Sequence, residues 1–397
     1  MNKFSLLFLV GVVICIQSSC KQQNENKEVI EADVSLDLDS TRDLNRLSYF
    51  LKHEANPTNF PRSMEPDGSV RAVTSRDWTS GFYVGSLLYA YRLLKDEAYL
   101  NHAKAWLPFL EKEKSNDKTH DMGFKIYCSF GNAYEINENG TYKKIILESA
   151  TTLSTRYNEK VGCIKSWDFG GDRWEFPVII DNMMNLELLF EASLLSGDST
   201  FYKIAHAHAN KTLKNHFRED NSSVHVVDYD PKTGKVIKKI THQGIADSSV
   251  WARGQAWGLY GFTMAYRYTQ DEAFLEQAKK IAQFIFEHPN MPKNYIPYWD
   301  YDSPNIPDAP KDASAAAVIA SALLELHTFT TSENYKLKAV KILETLSSEA
   351  YVLPTTSKTP FILNHSTGNM PKHDEVDVPI SYADYYYLEG VYRLSKL

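Results

Sequence analysis

Val250-Trp-Ala-Arg-Gly-Gln-Ala-Trp-Gly-Leu-Tyr-Gly-Phe-Thr-Met-Ala-Tyr-Arg-Tyr268 is apolar almost all the way round a helix, and the stretch after it is not. A polar turn, Gln270-Asp-Glu-Ala-Phe274, leads into a segment where Phe274, Leu275, Ala278, Ile281, Ala282 and Ile285 recur at helical spacing, with Glu276, Lys279 and Lys280 between them. This second helix has one wet face and belongs at a surface; the first has none and belongs among other helices. Residues 81–91, 178–195 and 313–326 repeat the first type. The turns Lys95-Asp-Glu-Ala-Tyr99, Asn137-Glu-Asn-Gly-Thr-Tyr142, Gly197-Asp-Ser-Thr-Phe201 and Thr331-Ser-Glu-Asn-Tyr335 repeat the junction, each with an Asp, Asn, Ser or Thr able to cap free backbone amides. Five such hairpins and a sixth inner helix at 380–394 predict an all-α fold, an (α/α)6 barrel of inner and outer helices, with an open array of helix pairs as the alternative.

Strand-like sequence is confined to 224–228 and 236–240, joined by Asp230-Pro-Lys-Thr-Gly234, which predicts a small β-hairpin on the rim. The Pro-containing stretches 289–310 and 354–379 suit long rim loops. At the other end, Lys3, the apolar run 4–16 and Ser18-Ser19-Cys20 read as an export signal too short to span a bilayer. The expected organisation is therefore an export signal at 1–19, a lipidated flexible tether at 20–40 with the lipid on Cys20, and one catalytic domain at 41–397. Gln17 stands where the lipoprotein pattern usually has an aliphatic residue, so soluble periplasmic export is the alternative to a bacterial lipoprotein facing the periplasm.

Aromatic residues make up 13% of the chain, with 24 Tyr and 7 Trp, which suits either a surface that grips sugar rings or an aromatic core. A net charge of -7 gives no basic footprint for nucleic acid. Cys128 and Cys163 fall in the folded body and could pair, but their spacing does not require it. No zinc spacing and no nucleotide-binding loop is present, and neither a metal nor a cofactor is expected.

Inner helices of a helical barrel begin at one rim, so their first turns converge. Asp121, in His120-Asp-Met-Gly-Phe124, and Asp181, in Ile180-Asp-Asn-Met-Met-Asn185, lie at such starts, as do Trp251 and Arg253. A single aspartate there is ordinarily a helix cap; two of them beside a guanidinium and several indoles make a site. Arg253 and Trp257 are four apart and share a helical face, where one can fork onto a carboxylate and the other lie against a ring. Trp78, Trp167, Trp251 and Trp257 are the candidate sugar platforms, and His120, His225 and Gln243 candidate partners for hydroxyls. Trp106 lies on an outer helix and reads as core.

From about Asn59 to the C-terminus the chain resembles the unsaturated glucuronyl hydrolases of glycoside hydrolase family 88. The matching motifs, in order, are Trp78-Thr-Ser-Gly-Phe, His120-Asp-Met-Gly-Phe, Ser166-Trp167, Ile180-Asp-Asn-Met-Met-Asn, Val224-His225, Thr241-His-Gln243-Gly, Trp251-Ala-Arg-Gly-Gln-Ala-Trp257 and His365-Ser-Thr-Gly. The resemblance implies removal of the 4,5-unsaturated uronic acid that polysaccharide lyases leave at a nonreducing end. It implies Asp181 as general acid and base, Asp121 as its catalytic partner, and Trp78, His120, Trp167, His225, Thr241, Gln243, Trp251, Arg253 and Trp257 as substrate-binding residues. The partner is then an unsaturated uronyl oligosaccharide, of glycosaminoglycan or ulvan type, with the membrane touched only through the lipid.

Such a substrate carries a vinyl ether, so the chemistry is protonation at C4 and water addition at C5 rather than displacement at C1. A general acid must keep its proton near neutral pH, whereas a free aspartic acid titrates near 3.9. Burial among aromatics and a charged Asp121 nearby would raise Asp181 in the needed direction, a rise of about two units being roughly 2.7 kcal/mol. Two other classes fit this fold: a sugar epimerase, which usually deploys paired histidines, and a noncatalytic sugar-binding lipoprotein, which would leave the double bond intact.

Overall fold

The computed structural model describes residues 42–397; Cys20, the signal at 1–19 and the tether at 20–40 lie outside the described residues. Twelve α-helices carry the fold among those residues: α1 (Arg42–Phe50), α2 (Ser80–Leu94), α3 (Glu97–Glu111), α4 (Asn132–Ile136), α5 (Gly140–Ser154), α6 (Asn182–Ser196), α7 (Ser199–Asn215), α8 (Ala252–Thr269), α9 (Glu272–Glu287), α10 (Ala313–Thr330), α11 (Glu333–Leu346) and α12 (Ser381–Leu394). A π-helical segment, Gly123–Gly131, runs directly into α4. Packing closes a ring: α2 meets the π-helical segment, which meets α6, then α8, α10, α12 and α2 again. The partners α3, α5, α7, α9 and α11 lie outside, each against its own inner helix. This is the (α/α)6 barrel expected from the alternation of apolar and amphipathic helices.

The junctions work as their residues dictate. Lys95, Gly197, Gln270 and Thr331 take left-handed backbone angles that end α2, α6, α8 and α10. The next residues, Asp96, Asp198 and Asp271, then cap the following outer helices by accepting from the amides of Ala98, Thr200 and Ala273. Asn139 does the same for α5 through Thr141, whereas Ser332 makes no such side-chain bond at α11. Inner helices approach so closely that a Cβ on Gly81 would sit 2.1 Å from the Phe124 carbonyl oxygen, and one on Gly123 2.6 Å from the Asn185 Cα. Glycine is required at both places.

Two expectations need correction. The apolar run at 178–195 is not one helix: Pro177–Ile179 is a strand, and α6 begins only at Asn182. That strand adds to the expected hairpin, Val226–Tyr229 with Val236–Ile240, making a three-stranded antiparallel sheet. Further hairpins occur at Phe60–Met64 with Val70–Val73 and at Ser366–Asn369 with Asp374–Val378, besides a two-residue pair near Cys163. Short, polar strands of this kind are set by tertiary neighbours, so their sequences carry little alternation. Cys128 and Cys163 are buried and free rather than paired.

Candidate active site

The N-terminal ends of the inner helices surround one cleft of about 310 Å³. Trp78 stands two residues before α2, Asp121 two before the π-helical segment, Asp181 one before α6, Arg253 in the first turn of α8 and Tyr382 in the first turn of α12. All five line the cleft, with His120, Trp167 and Gln243 from the rim loops. Asp312, the cap of α10, sits just behind: its Oδ1 accepts from the amides of Ser314 and Ala315, and its Oδ2 takes the Arg253 guanidinium at 2.6 Å.

Asp181 precedes α6 yet makes no side-chain capping bond, so the ordinary role of an aspartate in that position is not its role here. Its side chain is 13% exposed, and its Oδ2 is enclosed without a hydrogen-bond partner. Burial pushes its carboxyl up to about 7; Asp121 adds to the rise, while Arg253 and the Trp257 indole N–H pull against it. A carboxylic acid that is half protonated near neutrality, with one oxygen unspoken for, can give up and retake a proton. Asp121 is differently furnished: Thr119 Oγ1 donates to its Oδ2 at 2.9 Å, and His120 Nε2 lies 3.1 Å from its Oδ1.

Two histidines back the carboxylates. His120 is buried and places Nδ1 2.7 Å from the Ser166 carbonyl oxygen; burial lowers its pKa against the pull of Asp121. His225 Nδ1 accepts from the main-chain amides of His242 and Gln243, and its Nε2 lies 3.8 Å from Asp181 Oδ2. Burial, then His242 and Arg253, hold its pKa well below the usual histidine value, so the ring is neutral.

The cleft is walled by aromatic rings. Trp78 packs against Tyr382 and Phe124 with centroids 5.0 and 5.6 Å away. Trp167, also lining the cleft, stacks on Phe169, which is 55% exposed. Arg62 forks onto Glu375 through two 2.7 Å contacts and reaches Asp77 with its third nitrogen, pinning the Ser366–Asn369 hairpin to the barrel. No group of three or more His, Cys, Asp or Glu side chains suited to a metal ion is present among the described residues.

Four of the residues expected to bind substrate do not line the cleft. Trp251 and Trp257 are 4% and 0% exposed: Trp251 lies between His225, 4.6 Å away, and the Arg253 guanidinium, 4.7 Å away, while Trp257 packs on Phe124 and Tyr386. They are not open platforms, because they sit on an inner helix enclosed on every side. Thr241 spends its hydroxyl on the Gly244 amide, shaping the loop that carries Gln243. His225 lies behind Asp181. Arg253 lines the cleft, but its fork is engaged rather than free: Nη1 donates to Asp312 and the Thr367 carbonyl, Nη2 to the Gly368 carbonyl. It reaches the site chiefly as a buried positive charge beside Asp181.

Arg62, Phe169, His242, Lys372, Glu375 and Tyr382 also line the cleft and escaped the sequence reading. Tyr382 obeys the rule that found Asp181, standing at the start of an inner helix. Arg62 and Glu375 are 313 positions apart, and no local pattern joins them.

The cleft at this rim of the barrel holds a buried aspartic acid, Asp181, among aromatic rings, an arrangement suited to acid chemistry on a sugar. The family described as Glycosyl Hydrolase Family 88 matches residues 53–391, and the chain belongs to it. It is 50% identical to an unsaturated glucuronyl hydrolase of Formosa agariphila over 100% of this chain and 99% of that one. It is 32% identical to an unsaturated chondroitin disaccharide hydrolase of Streptococcus pneumoniae, over 88% of each. Among solved structures, an unsaturated glucuronyl hydrolase specific for heparin superimposes with a TM-score of 0.87 at 47% identity, covering 89% of this chain and 95% of that one.

Proposed function

We propose that this chain removes the 4,5-unsaturated glucuronyl residue from the nonreducing end of oligosaccharides made by polysaccharide lyases, with Asp181 as the acid. The observation that carries the reading is Asp181 itself: it lines the cleft, is mostly buried, and is pushed up to about 7. Asp181 delivers its proton to C4 of the vinyl ether, and the cation at C5 is stabilised by the ring oxygen. Asp181, now a carboxylate, takes a proton from water as the water oxygen bonds to C5. The resulting hemiketal opens by breaking the bond between C5 and the ring oxygen, which leaves C1 as a hemiacetal. Its collapse to the aldehyde releases the leaving sugar. Arg253, held in place by Asp312, supplies positive charge near the developing Asp181 carboxylate, and Trp78 and Trp167 flank the ring.

The substrate class proposed is a glycosaminoglycan-derived disaccharide, supported by relatives that act on chondroitin disaccharides and on heparin. Loss of the conjugated uronate's ultraviolet absorbance reads the reaction directly. Purified protein is mixed separately with lyase digests of chondroitin, heparin and ulvan. Bleaching of a glycosaminoglycan digest, absent in Asp181→Asn, is the expected result. Bleaching of the ulvan digest alone would move the substrate class, and no bleaching would remove the activity. For the chain's address, export with a lipid on Cys20 is proposed from the segment 1–20; mass spectrometry of the mature N-terminus in a bacterial host tests it, an unmodified Cys20 being the contrary result.

A further inference from the structure

The main chain fixes one ring nitrogen of each of two histidines, His120 in the cleft wall and His225 behind Asp181. A carbonyl oxygen only accepts, so His120 must carry hydrogen on Nδ1 to bond Ser166. Backbone amides only donate, so His225 Nδ1, which receives two of them at 3.2 and 3.1 Å, must be bare. The neutral His225 ring therefore holds its hydrogen on Nε2. That nitrogen is buried, has no hydrogen-bond partner, belongs to a side chain 1% exposed, and faces Asp181 Oδ2 across 3.8 Å, just beyond hydrogen-bond range. Asp181 Oδ2 is likewise unpartnered. A donor and an acceptor have been buried facing each other, and the Trp257 indole N–H is a second buried donor close to the same carboxyl.

We propose that His225 is a positioning residue for Asp181: its Nε2–H closes onto Oδ2 when Asp181 has given up its proton, and so stabilises the conjugate base. The inference rests on Asp181 being the acid. While Asp181 is protonated the gap persists; once it is charged, the contact becomes a hydrogen bond to an ionised acceptor, the kind worth most in an enclosed site. Trp251, packed at a tilt against the ring with centroids 4.6 Å apart, and the 242–243 amides behind it hold the imidazole so that only a small movement is needed. The other groups facing Asp181 are Arg253 and Trp257 from α8 and Asp121 from before the π-helical segment; those facing His225 are His242, Arg253, His216 and Arg173.

Two substitutions separate this role from a merely structural one. His225→Asn keeps an acceptor where Nδ1 stood, retaining the loop anchor, and deletes the Nε2 donor. His225→Gln supplies an amide N–H near Nε2 and deletes the anchor. The full chain is assayed by bleaching of an unsaturated disaccharide across pH, beside Asp181→Asn. Expected for His225→Asn is a kcat about ten- to a hundred-fold lower, with the alkaline limb of the kcat profile moved to higher pH because the carboxylate has lost a stabilising donor. His225→Gln recovers much of the rate. An active His225→Asn beside an impaired His225→Gln would make the ring a loop anchor, and equal losses with an unmoved alkaline limb would make it structural; either overturns the inference. Normal turnover in Asp181→Asn would instead overturn the underlying assignment of the acid.

Discussion

Asp181, immediately before α6, and Glu187, within it, lie about 9 Å apart along the helix axis. Their side chains are exposed to nearly the same degree, 13% and 14%, and burial pushes both carboxyls up to about 7. Around Glu187 the neighbours are a packed ionic cluster: Arg267 donates to it, and Arg267 and Arg393 also face Glu325. Glu389 in turn accepts from Tyr89, Tyr260 and Ser321, so the cluster ties α2, α6, α8, α10 and α12 together away from the cleft. Asp181 is not tied into such a cluster and lines the cleft. The lesson is that a raised pKa measures removal from water, and two carboxyls can share it while only one is placed to act.

The sharpest way to break this comparison is to neutralise each carboxyl in turn. Asp181→Asn should cut turnover by about two to four decades, whereas Glu187→Gln should leave it within about three-fold, since the amide oxygen still accepts from Arg267. Comparable losses in both, by the bleaching assay, would mean that the shift itself carries function. Next in size is Arg253→Ala. It strands Asp312 without its cation in a fully buried place, and should cost roughly 3–5 kcal/mol of stability, read as an earlier denaturant midpoint. If only affinity for substrate changed, Arg253 would be a ligand for the uronate rather than a buried support.

Stability against pH sharpens the comparison from the other side. A carboxyl whose folded pKa lies above its ordinary value stabilises the fold fully below that ordinary value, and the contribution is lost as pH rises through the folded pKa. For Asp181 and Glu187 that window runs upward from the ordinary values of 3.8 and 4.5 to about 7. Asp181→Asn and Glu187→Gln should therefore both gain stability over the parent chain on the alkaline side, on the order of 1–2 kcal/mol after discounting for relaxation. The gain should close toward acid. Thermal melts at several pH values check it, and a gain in one variant but not the other would show that the two burials are not equivalent. The smallest effect expected is from Phe169→Ala, at an exposed residue of the cleft: an unchanged melting point, and a change in KM of about ten-fold or less. A large fall in kcat would place Phe169 closer to the reacting atoms than its position indicates.

Much of this was legible in the chain. The contrast between 250–268 and 274–285 predicts two rings of helices, and the same contrast tells which helix ends converge. Asp121 and Asp181 follow from that rule, and the motif resemblance names the family that the comparisons found. What stayed hidden has physical reasons. Trp251 and Trp257 occur on a sugar-suited helical face by spacing, but an inner helix has no open face, so both indoles are buried. Pro177–Ile179 merges with the apolar run of α6 and reads as helix until its pairing with Val226–Tyr229 is seen. Arg253 reads as a free fork because Asp312 and the Thr367–Gly368 carbonyls that occupy it come from distant sequence.

The central claim is that one buried carboxyl, Asp181, is the acid. Its most direct test is the pH dependence of kcat/KM on an unsaturated disaccharide for the parent chain and for Glu187→Gln. The expected profile falls on the alkaline side through about 7, as Asp181 loses its proton, and is the same in both proteins. A profile flat through that region, or an alkaline limb that moves when Glu187 is neutralised, would contradict it.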